Sequence, residues 1–253
     1  MYKAILLTII VLDTLLLSLR ALLRRVSRVG VSRMLTRARV PGYTPVLYLD
    51  LGTHKEGTEL AWMVDRILPG ICDSFEAYGF EASRESFDKV RKRFTARNVS
   101  IVHKALCREV PSSGKVTLYK DSGRGSGDSL YRQSDSYEEV DATRLSDWLI
   151  RRNIILQRGI CLLRMNIEGA EYDVIKDLVE RGLARNIDGY YGMWDDVFKI
   201  DQQRDEAFSA FLKANRIHPF TFNGRDMRWP WRRRWIEYDI NTSVLASLHK
   251  FVE

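Results

Sequence analysis

Residues 48–57 read Tyr48-Leu49-Asp50-Leu51-Gly52-Thr53-His54-Lys55-Glu56-Gly57. The apolar run 46–51 has the length and composition of a buried strand, and residues 58–67 place apolar side chains at helical spacing. A strand that closes on an acidic residue, turns at glycine and enters a helix is the opening unit of a Rossmann-like α/β fold. Such a turn aims backbone N–H groups at a bound cofactor. Gly52 removes a Cβ that a close ligand would meet, and Thr53 shares the turn. Asp50 at the strand end suits a cationic ligand better than a pyrophosphate. A D-x-G turn also serves simply to cap a helix, so it decides the fold only in company.

The company is present. Residues 75–81 form a second apolar run ending in Tyr78-Gly79-Phe80-Glu81, followed by Ala82, Ser83 and a charged amphipathic helix over 83–94 with Ser83 as N-cap. An acidic residue closing the second strand accepts hydrogen bonds from both hydroxyls of a ribose. Glu81 follows Asp50 by 31 residues, longer than the spacing of about 20 in compact dinucleotide sites; its alternative role is a helix-start carboxylate. Further strands are expected at 99–103, at 116–119 on an edge, at 160–167, at 187–193 and, last, at 235–240. Helices are expected at 143–151, at 172–181 stopped by Gly182, and at 206–215. Strands alternating with helices predict a doubly wound, mostly parallel sheet covered on both faces. Ligands of such sheets bind beyond the carboxyl ends of the strands, where the strand order reverses. The polar, Gly- and Ser-rich stretch 121–141 breaks the pattern and reads as a lid or binding loop.

A third constellation names a family. Leu162-Leu163-Arg164-Met165-Asn166-Ile167-Glu168-Gly169-Ala170-Glu171 is a buried strand that breaks into a polar turn and a helix. Taken in order, YLDLGTH, YGFEAS, VHKAL, EVDATRLSDWL and LLRMNIEGAEYDVI resemble the FkbM-type methyltransferases throughout residues 46–182. The resemblance implies a class I methyltransferase fold, S-adenosyl-L-methionine as donor, and methylation of a hydroxyl oxygen. It implies that Asp50, Gly52 and Thr53 line the methionine part of the cofactor and that Glu81 and Ala82 meet the ribose. Ala105 and Leu106 then lie near the adenine, with Asn166, Glu168 and Glu171 near the transferred methyl. The family usually reads D-x-G-x-N-x-G; here His54 replaces the Asn and Glu56 stands where the last Gly belongs. Asn166 stands where the family usually has Asp. Candidates for the base that a hydroxyl acceptor needs are His54, Glu168 and Asp195, all at expected strand ends.

Composition bounds the alternatives. The chain has 253 residues and a formal net charge of +7. Lys3 and seven arginines within residues 1–45, against Asp13 alone, account for that charge, so residues 46–253 are neutral. Two parts follow: an N-terminal segment, 1–45, and a methyltransferase domain, 46–253. A neutral body argues against nucleic acid as partner. Three scattered cysteines without ligand spacing read as buried thiols, with no metal site.

Residues 4–19 form a hydrophobic run broken only by Asp13. It reads as a membrane-anchoring helix, marginal against the roughly 20 apolar residues of a full span. A signal peptide, a transit peptide and a helix packed on the domain are its rivals. The arginines that follow keep the downstream domain cytoplasmic. Residues 225–235 interleave Trp and Arg and read either as a hairpin with a basic face or as a headgroup-seating patch. Three functional readings stand. The first is a methyltransferase acting on a small molecule, glycan or lipid headgroup at a membrane. The second is an RNA methyltransferase. The third is a methyltransferase fold that has lost activity and serves as an interaction module.

Overall fold

The computed structural model describes residues 40, 42, 44–95, 98–121, 127–248 and 250. Its centre is a six-stranded, wholly parallel sheet in the order β3-β2-β1-β7-β8-β9. β1 (Val46–Leu51) runs between β2 (Glu76–Glu81) and β7 (Ile160–Met165); β3 (Val99–His103) lies outside β2, and β8 (Gly189–Gly192) and β9 (Phe220–Thr221) lie outside β7. The chain thus builds outward one way from β1 and then the other way from β7, so the switch point falls between those two strands.

Alternate side chains of β1 and β7 feed two apolar layers. Tyr48, Ile160 and Leu162 pack on one face with Leu60, Phe94, Ile236 and Ile240. Leu49, Leu51, Leu163 and Met165 pack on the other with Trp148, Ile175 and Leu178. Burial on both faces is why these strands read as continuous apolar runs. The helices are α1 (Thr58–Trp62), which continues through a π-helical stretch (Met63–Ile67) into α2 (Leu68–Ile71), then α3 (Arg84–Phe94), α4 (Leu145–Arg151), α5 (Glu171–Glu180), α6 (Gln202–Ala214) and α7 (Pro230–Leu248). Gly182, at φ +68, ends the turn after α5 as expected.

Three expectations are corrected. The strand expected at 235–240 lies inside α7, and no hairpin forms from 225–235: Pro230 opens the helix, and Ile236, Ile240 and Val244 bury one stripe at spacing four. The expected loop 121–141 contributes to a second, three-stranded sheet, β4-β6-β5, made of β4 (Ala105–Leu106), β5 (Lys115–Tyr119) and β6 (Tyr137–Thr143). In β6 Val140 and Ala142 turn inward while Glu139 and Asp141 face water, an alternation that acidic residues hide. The segment 116–119 is therefore an edge strand of this small sheet, not of the main one. Finally, Ser83 occupies the N-cap position of α3 but makes no side-chain capping bond; its hydroxyl accepts from Lys120 Nζ at 2.8 Å.

The expected N-terminal membrane helix lies outside the described residues. Among the described residues no helix is long and apolar enough to cross a membrane. The body is entered at Val40, which is buried and donates its N–H to Ile71 O at 2.7 Å.

Candidate functional site

At the carboxyl ends of β1, β2 and β7 lies a cavity of about 80 Å³. Its floor is Gly52, Phe80 and Ile167; one side is apolar, with Ala82, Ala105, Leu106 and Leu118. Asp128 and Leu130, from the strap of residues 127–132 between β5 and β6, form its roof. Polar groups enter from three strand ends as Glu81, His54, Asn166 and Glu168. The small sheet thus brings Ala105 and Leu106 to the site, and the main sheet brings the carboxylates.

Glu81 is buried and fixed by its own neighbours. Its Oε2 accepts from the backbone N–H of His54 at 2.8 Å and from Thr53 Oγ1 at 3.5 Å, while Oε1 accepts from Ser83 N–H at 3.0 Å. A carboxylate offers about four acceptor sites, so capacity remains toward the cavity. Burial pushes its pKa up to about 7, against the pull of the Ser83 and His54 N–H groups. His54 sits at φ +60, a left-handed conformation that turns its N–H onto Glu81. Burial lowers the imidazole pKa below its ordinary value, against the pull of Glu59 and Glu56, and favours the neutral ring. Two polar atoms of the wall, His54 Nε2 and Asn166 Oδ1, are buried without any hydrogen-bond partner. Among the described residues nothing satisfies them, so both retain hydrogen-bonding capacity at the cavity.

Glu168 adopts φ +52 in the turn after β7 and projects into the cavity. Its Oε2 accepts from Arg132 of the strap at 2.6 Å, and its carbonyl accepts from Ser129 Oγ at 2.7 Å. Burial and the nearby Asp196 carboxylate push its pKa up to about 7, while Arg132 opposes the shift. A buried carboxyl poised near neutrality in a cavity suits proton transfer. Glu171 differs. It is fully buried at the start of α5, and its oxygens accept from the N–H groups of Ile167 and Gly169, each at 2.8 Å. It clamps the turn that presents Glu168 and does not line the cavity.

Three residues singled out from sequence lie elsewhere. Asp50 is wholly buried on the α1 face of the sheet, where β1 and β7 pair it in register with Arg164. Arg164 Nη1 donates to Asp50 Oδ1 at 2.6 Å and to Gly52 O at 3.0 Å; Nη2 donates to Glu59 Oε1 at 3.1 Å. Asp50 belongs to a buried ion cluster, and through Arg164 it is tied to the carbonyl of the glycine turn. Thr53 is buried and spends its hydroxyl on Glu81. Asp195 is exposed; the carboxylate that influences Glu168 is its neighbour Asp196, which is buried and paired with Lys199. Gly52 lines the cavity, but its lack of a side chain is demanded by the protein itself. At φ +81, a Cβ there would run into the backbone carbonyl of Asn166.

Sequence reasoning missed Arg132, Asp128 and Leu130, because nothing local ties the strap to the strand ends. Arg164 carried a signal that went unused: an arginine within a buried strand requires a carboxylate partner. Among the described residues no group of three or more His, Cys, Asp or Glu side chains is placed to hold a metal ion.

Fold and cavity together define a Rossmann-like α/β domain with its ligand site at the switch point of the sheet. The chain belongs to the FkbM methyltransferase family: the model of the methyltransferase FkbM domain matches residues 50–206, more than half of its length. The match continues past residue 182, where the sequence motifs by themselves carry no further. No curated protein and no solved structure matches the chain.

Proposed function

We propose that this protein transfers a methyl group from S-adenosyl-L-methionine to a hydroxyl oxygen of a small molecule, glycan or lipid headgroup. The observation that carries the reading is the convergence of Glu81, Asn166 Oδ1 and His54 Nε2 on one cavity with an apolar side, in a chain of this family. Those residues fit the cofactor group by group. Glu81 has acceptor capacity for ribose hydroxyls, and Ala82, Ala105, Leu106 and Leu118 offer an apolar slot for a purine. Asn166 Oδ1 is an unpartnered acceptor for the ammonium of the methionine end.

The cofactor, when bound, supplies an electrophilic methyl on a cationic sulfur. The protein's share is alignment of the acceptor oxygen and removal of its proton. Glu168 is the base: its carboxylate would hold and accept the proton of the acceptor hydroxyl. Ionisation of Glu168 near neutral pH suits that task. His54, neutral and with Nε2 unpartnered, is the runner-up for the same role.

The segment 1–45 serves as a membrane anchor in this reading, with the domain on the cytoplasmic side. Trp229 and Trp231, 57% and 44% exposed beside the arginines that open α7, support seating of the body at headgroups. Flotation of the full chain with anionic vesicles tests this, and its recovery only in the protein-alone fraction would defeat it.

Calorimetric titration of the full chain with S-adenosyl-L-methionine tests the central reading. Saturable one-to-one binding that is abolished by Glu81→Ala is expected. Absence of binding by the unmodified chain would establish the inactive-module reading instead.

A further inference from the structure

On the far side of Leu130 and Tyr131 from the cofactor cavity lies a second hollow of about 650 Å³. Its walls are β5, the strap, α5 and Arg204 of α6, and Leu130 lines both spaces. A volume of this order seats a small-molecule ligand. Its charges are unevenly spent. Arg108 holds Glu180 through two bonds, at 3.1 and 2.9 Å, and lies 3.7 Å from Glu109. Arg204 pairs with Asp173 at 2.9 Å and stacks over the rings of Tyr131 and Tyr172 at 4.9 and 5.6 Å. The Tyr131 hydroxyl also donates to Asp173. Both carboxylates that line the hollow, Glu109 and Asp173, are therefore occupied.

Lys115 on β5 and Lys176 on α5 are left over, one on each wall. Among the described residues neither lies within ion-pair distance of a carboxylate; Lys176 Nζ merely hangs 5.9 Å above the Tyr172 ring. Arg204 Nε is buried and lacks a hydrogen-bond acceptor. A concave space with two uncompensated ammonium groups and an unfilled guanidinium donor selects an anion. Tyr119 of β5 adds an aromatic ring to the same wall.

We propose that this hollow seats the methyl acceptor, and that the acceptor is an anionic, hydroxylated molecule of the acidic-sugar class. Lys115 and Lys176 take its phosphate or carboxylate, and the reactive hydroxyl reaches past Leu130 to Glu168. The proposal rests on the methyltransferase reading above and adds the class of substrate.

The test titrates the full chain with glucose 6-phosphate, glucuronate, neutral glucose and S-adenosyl-L-methionine, using ligand-observed NMR and calorimetry. Both acidic sugars are expected to bind, with glucose weaker by about tenfold or more. The double variant Lys115→Glu/Lys176→Glu should lose the acidic sugars by about tenfold or more while retaining affinity for S-adenosyl-L-methionine. Lys115→Gln/Lys176→Gln, with an unchanged unfolding transition, guards against a folding artefact. Equal binding of neutral glucose, or acidic-sugar binding that ignores both variants, would overturn the assignment. So would displacement of the sugars by a single-stranded RNA. Failure of S-adenosyl-L-methionine alone to bind would instead strike the methyltransferase reading, so the two failures are distinguishable.

Discussion

Replacing Arg164 by methionine tests whether Asp50 acts through a buried ion cluster or touches the cofactor. Arg164 is 1% exposed and sits between Asp50, 0% exposed, and Glu59. Its loss leaves two carboxylates facing each other without a cation. Breaking a buried pair costs about 3–5 kcal/mol. For a domain of this size that lowers Tm by roughly 6–20 °C, at about 2–4 °C per kcal/mol. Asp50→Asn is milder, because Glu59 still faces the guanidinium and the remaining pair is electrically balanced; about 2 kcal/mol is expected, the scale of one hydrogen bond to a charged group. In Asp50→Asn/Arg164→Met the stranded Asp50 charge is gone, so the double variant should be more stable than Arg164→Met alone. Thermal and urea unfolding of the four proteins gives the coupling directly. A parallel S-adenosyl-L-methionine titration should show Asp50→Asn within a few-fold of the unmodified chain. If Asp50→Asn instead keeps its stability and loses cofactor affinity outright, Asp50 is a ligand contact and the argument from Arg164 is wrong.

Other consequences concern titration, chemistry and the strap. Burial raises the carboxyls of Glu81, Glu168 and Glu171 to about 7 from an ordinary 4.5. The folded state therefore binds more protons than the unfolded chain between those values, and the stability these groups contribute is lost as pH rises from about 4.5 through about 7; Tm should fall across that window and level off above it, and a flat or rising profile there in calorimetric scans would contradict these burials. Glu168→Gln should cut kcat by about 100-fold or more with S-adenosyl-L-methionine affinity nearly unchanged, measured with labelled cofactor once an acceptor is in hand; undiminished turnover transfers the base role to His54. Arg132→Met removes a partly exposed ion pair worth up to about 1 kcal/mol, so cofactor association in stopped-flow mixing should speed up about fivefold if that bond holds the strap shut, and an unchanged rate would show that it does not.

Much of the fold was legible because its signals are local. β1, β2 and β7 are short apolar runs with a glycine or an acidic turn behind them, and their burial leaves them little else to be; β3, at the edge, is legible from its β-branched residues. β6 was hidden because three of its seven residues are acidic, Glu139 and Asp141 facing water and Glu138 pairing with Lys120. The start of α7 was misread because the aromatic and β-branched residues of Trp235-Ile236-Glu237-Tyr238 favour a strand, while the Ile236, Ile240 and Val244 stripe that decides the matter extends beyond that window. Residues just beyond the strand ends reach the cavity because topology sends them there: Gly52, His54, Glu81, Ala82, Ala105, Leu106, Asn166 and Glu168 all line it. Asp50 lies one step inside the strand, and strand alternation turns it down toward α1. That difference depends on its pairing with β7, which no single stretch of sequence contains. Likewise nothing in Asp195-Asp196 tells which of two adjacent carboxylates the chain will bury.

The strap gives the remaining long-range contacts a common consequence. Residues 127–132 supply Asp128 and Leu130 to a cavity of about 80 Å³, so in the proposed reaction their position sets how much room a nucleoside cofactor finds. They are held by a backbone bridge of Ser129 to Tyr119, with both bonds at 2.9 Å, by Ser129 Oγ on the Glu168 carbonyl, by Arg132 on the Glu168 carboxylate, by Asp128 on Lys120 at 3.1 Å, and by the Tyr131 hydroxyl on Asp173. Two of these fastenings, those of Ser129 Oγ and Arg132, end on Glu168. Displacing the strap therefore also removes the guanidinium that holds the Glu168 charge, and frees its carboxylate to accept a proton. Leu130 and Tyr131 form the wall of the neighbouring hollow as well, so an acceptor seated there bears on the same strap. In the proposed reaction, cofactor entry, exposure of the base and acceptor binding are thus three demands on one six-residue segment.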